Sequence, residues 1–300
     1  QRFSLSLQPG AEFQRYSVSF SEPAIFDSDY FLDTGLFFFS SERENYQEER
    51  FGGRLGLGKR FGDHWSARVD ARLTNIEISD IDASAPVDVF AVEGGNFVES
   101  LGLTVTRSTV EVTEQLLPYR GSRFSVGIDR FGVLGGDFEF TRATAEWTTY
   151  FTLAEDFFGR KTTLKLHAEA GYIFEDNEAP VFDRFYAGGH TSFRGFAFRG
   201  AGPRGIQNNT GTLGDDPIGG DWLFLAKVEY NFPVYERFLR AVVFMDTGTV
   251  QDDIGFNEYR VSIGTGVRIT LPFLGQAPLA FDIAYPLLAQ EGDEEQLFSF

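Results

Sequence analysis

Apolar and polar residues alternate with a period of two through nearly the whole chain, and this alternation restricts the fold more than any other feature. In the segment 163–174, one face carries Leu164, Leu166, Ala168, Ala170, Tyr172 and Phe174, and the other carries Lys165, His167, Glu169 and Gly171. Successive side chains of a β-strand point to opposite faces, so this period predicts strands. Helical periodicity is nearly absent, and the chain is therefore predicted to be all-β.

About fourteen such runs occur, and many of them reach the roughly 9–11 residues that cross a bilayer at a tilt. They cover residues 2–8, 13–21, 34–42, 48–61, 64–79, 96–107, 121–131, 137–153, 161–174, 221–232, 238–248, 257–271, 278–287 and 296–300. The alternation changes parity near Arg142 and after Thr74. A β-bulge is predicted at each of these two places, because one extra residue reverses the faces of a strand.

The connections between the runs alternate in length. Those at 59–63, 233–237 and 272–277 are tight, whereas those at 79–95 and 175–220 are long and rich in Gly, Pro, Asp and Asn. Both long connections fall at the same end of an up-and-down sheet, and the segment 108–120 is the exception at the other end. Such asymmetry is typical of an outer-membrane barrel, and predicts a transmembrane antiparallel up-and-down β-barrel. A soluble sandwich or propeller is the alternative, since it also alternates.

Charge and composition exclude several classes of protein. The chain has 300 residues, a net charge of −18 and a pI near 4.6, so it lacks the basic surface that a nucleic-acid partner requires. Cysteine is absent, which rules out disulfides and thiolate metal sites. No apolar run approaches the roughly 18 residues of a transmembrane helix.

The segment 183–204 departs from the alternating pattern. It carries four arginines, five glycines and four phenylalanines in 22 residues. Arg194 stands between Phe193 and Gly195-Phe196, on a segment too apolar for a simple solvated loop. A guanidinium in such surroundings requires carboxylates, and the candidates are Glu229 and Asp246 on later strands. The alternative is an exposed arginine on a surface loop.

Several segments resemble the BamA superfamily of outer-membrane assembly factors and two-partner-secretion transporters. Its signature is similar to Phe185-Tyr186-Ala187-Gly188-Gly189 followed by Phe193-Arg194-Gly195-Phe196, except that the family often has Val or Ile at the position of Phe193. Further resemblances follow in the family's order at 118–123, 228–233, 244–250 and 296–300. Together they extend over most of the segment 109–300.

The resemblance implies a sixteen-stranded barrel that follows periplasmic domains called POTRA domains. With about fourteen strands, this chain is expected to be the barrel portion, without the first strands or the POTRA domains. Residues 1–300 would then form one transmembrane barrel domain. Within that domain, residues 175–220 would form a long lumenal or extracellular loop that folds into the lumen.

The family's roles can be carried over residue by residue. The resemblance implies that Arg194 is held inside the barrel by Glu229 and Asp246 and that Phe196 packs against the wall; with Gly195, we call these five residues the lumenal lock. Gly188 and Gly189 would supply the bends of the loop. The resemblance further implies a weakly paired seam between the first and last strands, with Leu297, Phe298 and Phe300 on its last-strand side.

The function that the resemblance implies is the assembly and insertion of β-barrel proteins into the bacterial outer membrane through this lateral seam. The expected partners are unfolded outer-membrane proteins, accessory periplasmic lipoproteins and outer-membrane lipid. The alternative is two-partner-secretion or TamA-like translocation of one dedicated polypeptide. A passive pore or a lumenal hydrolase is a third alternative.

Catalysis and cofactors are not expected from the sequence. His167 faces inward beside Glu169 and His190 lies near Ser192, but no nucleophile-elbow pattern accompanies them, so no enzymatic activity is predicted. Three scattered histidines without cysteine predict no transition-metal site and no cofactor. The acidic clusters at 215–216, 252–253 and 291–295 are interpreted as solvated loops, with Ca²⁺ binding as the alternative.

Overall fold

In the computed structural model, residues 1–113, 116–175, 179–236, 238–270 and 279–300 are described, and nearly all of the regular structure is strand. The strands are β1 (Arg2–Gln8), β2 (Phe13–Glu22), β3 (Tyr30–Glu42), β4 (Gln47–Phe61), β5 (Trp65–Ser79), β6 (Gly94–Ser108), β7 (Glu111–Val112), β8 (Pro118–Phe131), β9 (Phe140–Glu155), β10 (Lys161–Glu175), β11 (Gly195–Phe196), β12 (Arg204–Ile206), β13 (Leu213–Pro217), β14 (Trp222–Tyr235), β15 (Leu239–Gln251), β16 (Arg260–Ile269), β17 (Leu279–Leu288), β18 (Glu295–Gln296) and β19 (Phe298–Ser299).

Fourteen strands pair in sequence order in one antiparallel up-and-down sheet. The order is β1-β2-β3-β4-β5-β6-β8-β9-β10-β14-β15-β16-β17-β19, and β7 pairs with β8 beside this path. The prediction of an all-β up-and-down sheet of fourteen strands is therefore confirmed. Within the described residues the sheet is not closed, since β1 and β19 do not pair with each other.

Helices are short in the described part of the chain. One α-helical turn spans Val87–Phe90 and a 3₁₀ turn spans Ile25–Asp27. Neither of them is long and apolar enough to cross a membrane.

The outer face of the sheet carries a continuous exposed apolar surface. Leu57, Val69, Leu103 and Ile128 are direct cross-strand partners on β4, β5, β6 and β8, and between 45% and 57% of each is exposed. An apolar surface that extends over four neighbouring strands needs a cover, because soluble monomers rarely leave such a patch in water. Its alternation with a polar inner face is the pattern of a transmembrane barrel.

The inner face changes from polar to apolar toward one end of the sheet. This change explains why both predicted bulges are wrong. The pairing of β5 with β4 and β6 is unbroken past Thr74, so Ile76 and Ile78 point inward on the same face. Each is only 1% exposed, within a core that also contains Val98, Phe131, Phe140 and Ile173. The apolar residues after Thr74 therefore reflect the core that the inner face packs against at this end of the sheet, and the strand keeps its parity.

The bulge predicted near Arg142 is wrong for the same reason. The pairing of β9 with β8 is continuous from Thr141 to Tyr150. A register shift does occur in β9, but it lies at Leu153, since Thr163 pairs with Thr152 and Thr162 pairs with Ala154. Apolar residues near Arg142 line the end of the inner face that the loops cover. In the sequence they look like a change of parity, although the pairing is continuous.

The end of the chain differs from the prediction of one last strand at 296–300. The strand ladder there is limited to Phe298 and Ser299, opposite Ile283 and Asp282 of β17. Gln296 instead pairs with Gly195 in the small β11–β18 sheet. The tight connection predicted at 272–277 lies outside the described residues.

Candidate functional site

The long connection between β10 and β14 packs against the inner face of the sheet. Phe193 and Phe196 are each 1% exposed and meet edge to face, with ring centroids 4.9 Å apart. They belong to a buried cluster with Leu223 and Leu225, which point inward from β14, and with Val250 of β15. Burial of these rings anchors the apolar segment within the barrel interior, since each large side chain contributes about 1.5–3 kcal/mol when it leaves water.

Arg194 lies at the centre of an ionic network on the inner wall. Its Nε and Nη2 donate to the two carboxylate oxygens of Asp246 at 2.8 and 2.7 Å, and its Nη1 donates to Glu229 at 3.0 Å. The guanidinium also lies 3.4 Å from the ring centroid of Phe244. The side chain is 7% exposed and Asp246 is 1% exposed, so the bidentate pair is shielded from water.

The charge state of Arg194 follows from these contacts. Burial on its own lowers the pKa of the guanidinium, but hydrogen bonds and charge from Asp246, and then from Glu229, raise the pKa above its ordinary value. Arg194 is therefore a permanent cation that balances buried carboxylates. Its backbone takes part as well, because the amide donates to Asp246 at 3.1 Å and the carbonyl accepts from the Ser262 hydroxyl at 2.6 Å.

Two members of this network were not among the predicted residues. Asp282 of β17 is fully buried and lies 3.5 Å from Nη1 of Arg194. Arg268 of β16 donates to both oxygens of Asp282, at 2.5 and 3.0 Å, and lies 3.8 Å from Glu229. The network therefore joins the loop to four consecutive strands, β14 to β17. A signal existed for Asp282, since it is the single charge in the apolar run of β17.

Glycine is required where the loop bends and where it approaches the wall. Gly188 and Gly189 have φ of 121° and 86°, a region that favours glycine. Gly195 has φ of 95°, and a Cβ there would lie 3.1 Å from Cβ of Ser262 on β16. Gly195 thus lets the loop backbone lie directly on the inner wall beside Arg194.

A Gly188→Ala substitution should destabilise the loop by more than backbone strain alone. A non-glycine residue at positive φ costs about 1–3 kcal/mol, and a Cβ at this position would in addition overlap the carbonyl oxygen of Ala197. Gly211→Ala is the matched control, because Gly211 lies in the same long connection at φ 67° with nothing within 4 Å of its Cβ. Thermal unfolding should show the larger loss for Gly188→Ala, and equal losses would contradict the steric explanation.

The loop also pairs with the segment that precedes the last strand. Gly195 and Phe196 of β11 pair antiparallel with Gln296 and Glu295 of β18. The amide of Ala197 donates to the Glu294 carbonyl at 2.8 Å. Contacts made by the loop therefore extend to within two residues of β19 in the chain.

The predicted seam residues lie directly after this pairing. The Leu297 carbonyl accepts from the amide of Ala284 on β17 at 2.8 Å, and Phe298 pairs with Ile283. The side chains of Leu297, Phe298 and Phe300 are 49%, 49% and 83% exposed. The structure thus places them at the sheet edge formed by β19, directly after Gln296, which pairs with Gly195 of the lumenal lock.

A second buried ion pair holds the same segment, and sequence reasoning missed it. Arg260, at the start of β16, donates from Nε to both oxygens of Asp293 at 2.9 and 2.7 Å. Both side chains are nearly inaccessible, at 2% and 1% exposed. Asp293 lies in the acidic cluster at 291–295, so at least one member of that cluster is buried and paired instead of solvated.

The segment 118–123, which carries one of the family resemblances, lies at the start of β8. Gly121 has φ of 91°, and a Cβ there would overlap the carbonyl of Thr109 in the preceding connection. The next amide, that of Ser122, donates to the Thr109 hydroxyl at 3.0 Å. The segment 118–123 is therefore a close backbone crossing that needs glycine, with a structural role.

The histidines do not form a catalytic arrangement with serine in the described residues. Nδ1 of His167 lies 2.9 Å from the Thr148 hydroxyl, and Nδ1 of His190 lies 3.7 Å from Asp282. Across the same described ranges, no group of three or more His, Cys, Asp or Glu side chains is arranged to hold a metal ion.

Comparisons with known proteins agree with this architecture. The family model described as the Omp85 superfamily domain matches residues 1–300. Outer membrane protein assembly factor BamA of Nitratidesulfovibrio vulgaris is 27% identical over 281 residues, which is 91% of this chain and 33% of the relative. The BamA of Neisseria meningitidis serogroup B is 27% identical over 219 residues, 62% of this chain and 26% of the relative. The chain thus spans about a third or less of these relatives.

Two solved structures share the fold. The crystal structure of BamA from Haemophilus ducreyi lacking POTRA domains 1–3 superposes with a TM-score of 0.82 at 18% identity, covering 99% of this chain and 63% of that one. CdiB from Escherichia coli superposes with a TM-score of 0.60 at 14% identity, covering 96% and 52%. Both likenesses concern the course of the sheet, which is that of a BamA barrel.

Proposed function

Since the chain belongs to the Omp85 superfamily, we propose that it is the barrel of a factor that assembles and inserts β-barrel proteins into the bacterial outer membrane. In this proposal, client strands pair at a seam between the first and last strands of the complete barrel. Main-chain hydrogen bonds at an exposed sheet edge give the affinity for an incoming strand. The two BamA relatives, named as outer membrane protein assembly factors, support this activity.

The observation that carries the proposal is the pairing of the lumenal loop with the segment that leads into the last strand. Arg194 fixes the loop to β14–β17, and the adjacent Gly195 and Phe196 pair with Glu295 and Gln296. The segment that leads into the last strand is thereby tied to an anchor in the barrel interior. We propose that this arrangement keeps the seam ready for a client strand, and that the lock stabilises the barrel without any turnover.

An outer-membrane location agrees with the surface of the sheet. The row of Leu57, Val69, Leu103 and Ile128 presents apolar side chains outward, while charged residues such as Arg68 and Asp70, 3.1 Å apart, face inward. The apolar band suits lipid, and the polar lumen suits water. The chain is thus an outer-membrane barrel, and we propose outer-membrane lipid as one of its partners.

We further propose that the barrel works without catalysis or a cofactor, together with POTRA domains and accessory periplasmic lipoproteins. The interior geometry supports a structural use of its charges, because Arg194, Arg268 and their carboxylates satisfy one another. The segment 175–220 acts in this proposal as the lumenal loop of a single barrel domain. Such a loop occupies the interior and opposes the passive-pore alternative.

Reconstitution tests this function. The full protein that contains this chain is inserted into liposomes, an unfolded β-barrel client is added, and its folding is followed by protease protection. We expect folding at least about tenfold faster than in liposomes without the protein, which corresponds to a barrier lower by about 1.4 kcal/mol. An unchanged folding rate would contradict the proposal.

Depletion in cells separates this function from export of one dedicated polypeptide. Loss of an assembly factor should lower the amounts of many outer-membrane proteins together, measured by quantitative proteomics of outer-membrane fractions. Loss of a dedicated exporter should remove one secreted polypeptide and leave the other outer-membrane proteins at their normal level. The second result would replace the proposed function by the translocation alternative.

A further inference from the structure

A cavity of about 640 Å³ lies between the inner face of β1–β5 and the lumenal loop, and its lining is strongly basic. Its charged residues are one carboxylate, Glu48, and six arginines: Arg15, Arg43, Arg50, Arg54, Arg72 and Arg199. This balance is the reverse of the chain as a whole, which has a net charge of −18. A concentration of cations that line a cleft focuses a positive potential there.

The single carboxylate is already engaged by the protein. Glu48 is fully buried, with one oxygen 3.5 Å from Arg43 and the other bonded to Nε of Arg50. Arg50 also donates to the Phe182 carbonyl at 3.0 Å, which ties β4 to the lumenal loop. Arg199 lies 3.9 Å from the ring centroid of Tyr186. Glu48, Arg43 and Arg50 are therefore engaged with one another or with the loop, and Arg199 stacks on an aromatic ring.

The other three arginines are exposed to the cavity and lack a protein partner. Arg15, Arg54 and Arg72 make no side-chain ion pair or hydrogen bond with any residue that the structure describes. Arg54 and Arg72 are direct cross-strand partners on the same inner face of β4 and β5. Like charges directly opposite each other in a sheet are unfavourable, so this placement has a cost that a bound anion would offset.

Neutral donors complete the lining. Thr74 is 4% exposed, and its hydroxyl has no hydrogen-bond partner within the described ranges. Ser6, Ser17 and Ser19 also border the cavity from β1 and β2. Forked guanidinium donors combined with hydroxyl donors match the tetrahedral oxygens of a phosphate group.

We propose that this lumenal cavity binds a phosphate-bearing ligand, held by Arg15, Arg54 and Arg72. A phosphate fits better than an extended acidic peptide, because Arg54 and Arg72 are direct cross-strand neighbours and can share one small anion, in a cavity that Arg15 and the loop residues Phe182 and Arg199 also line. The phosphate can come from a soluble anion or from a lipid headgroup. This inference rests on the cavity alone and does not depend on client assembly.

Binding of inorganic pyrophosphate to the full protein in detergent micelles tests the site. Arg54→Gln/Arg72→Gln should weaken pyrophosphate binding by about tenfold or more in isothermal titration calorimetry. The matched control is Arg123→Gln, which removes one exposed inward-facing arginine from β8, outside this cavity. The control should bind within about twofold of the unmodified protein, and equal binding by the double variant would overturn the site.

Thermal unfolding gives a second measurement that does not depend on the heat of binding. Arg54 and Arg72 are exposed and unpaired within the described residues, so their removal should leave the melting temperature unchanged or higher in the absence of anion. Pyrophosphate should raise the melting temperature of the unmodified protein and of Arg123→Gln only. A similar rise in the double variant would contradict the proposal.

Two further arms identify the source of the phosphate. Native mass spectrometry of the purified protein should show a retained phospholipid that the double variant loses if the ligand is a lipid headgroup. A purified protein that carries no phospholipid but binds added pyrophosphate indicates a soluble anion. Either of these two results supports the site. Decaglutamate is the last probe. If it displaces pyrophosphate, and if its own binding depends on Arg54 and Arg72 in the same way, the cavity binds an acidic peptide and the phosphate assignment is overturned.

Discussion

An Arg194→Ala variant should release the lumenal loop from the barrel wall. The substitution leaves Asp246 and Asp282, which are 1% and 0% exposed, without the cation that lies between them. Breaking a buried pair by removal of one partner costs about 3–5 kcal/mol, because the remaining charge stays buried and unpaired. Arg268 still neutralises Asp282, so the largest part of the loss should fall on Asp246 and on the loop that it holds.

Hydrogen exchange followed by mass spectrometry locates this effect. In the variant we expect faster exchange at the amides of Gly189 and Ala197, which are bonded to Phe196 and Glu294 respectively. The strands β4–β6 should keep their protection, because their pairing does not involve the loop. Normal protection of Gly189 and Ala197 would contradict the anchoring role of Arg194.

Two related variants separate charge from geometry. Arg194→Lys keeps the positive charge but loses the two parallel bonds to Asp246, so its loss of stability should lie between those of the unmodified protein and Arg194→Ala. Arg68→Ala is the control, because Arg68 also faces the lumen and pairs with an aspartate, but 41% of its side chain is exposed. A solvated pair contributes at most about 1 kcal/mol, so equal effects of Arg68→Ala and Arg194→Ala would contradict the importance of burial.

The strand order could be predicted because it depends on a local pattern. Alternation and connection length require only neighbouring residues, and they located all fourteen strands of the main sheet. The contacts of Arg194 with Glu229 and Asp246 followed from the same pattern, since parity turns Glu229 inward and Asp246 interrupts an apolar run. Inward carboxylates and a buried guanidinium then have few other possible partners.

The same pattern failed where the inner face is apolar. The parity changes predicted after Thr74 and near Arg142 assume that the lumen side is polar throughout, whereas loops cover that end of the sheet and form a core with Ile76 and Phe140. The pairing of Gly195 with Gln296 could not be predicted either. It joins two-residue strands about a hundred positions apart, and neither is long enough to show a period.

An Arg260→Ala variant should detach the segment before the last strand while it leaves the lumenal lock intact. Asp293 would remain buried without its bidentate partner, at a cost of about 3–5 kcal/mol. Asp293 also accepts a hydrogen bond from the backbone amide of Gln290 at 2.7 Å, so the turn that it organises should loosen with it. We expect faster exchange at Gln290 and at Glu294, whose amide donates to the Gly200 carbonyl.

The double variant Arg260→Met/Asp293→Ala tests whether the ion pair itself is needed. Replacing both partners removes the unpaired charge, and buried pairs exchanged for apolar groups are often neutral in stability. The double variant should therefore recover most of the stability that Arg260→Ala loses, measured by chemical denaturation. A double variant as unstable as the single one would show that Arg260 acts through other contacts, such as its bond to the Glu258 carbonyl.

The two arginines hold the same segment from opposite sides, and this makes their effects on function separable. Arg194→Ala frees the loop that pairs with Glu295, whereas Arg260→Ala frees Asp293, two residues earlier. If client strands enter beside β19, both variants should alter client folding in liposomes, although only Arg194→Ala exposes the amide of Gly189. If Arg260→Ala loosens Gln290 and Glu294 but leaves client folding unchanged, the position of this segment does not control assembly, and the proposed role of the seam is wrong.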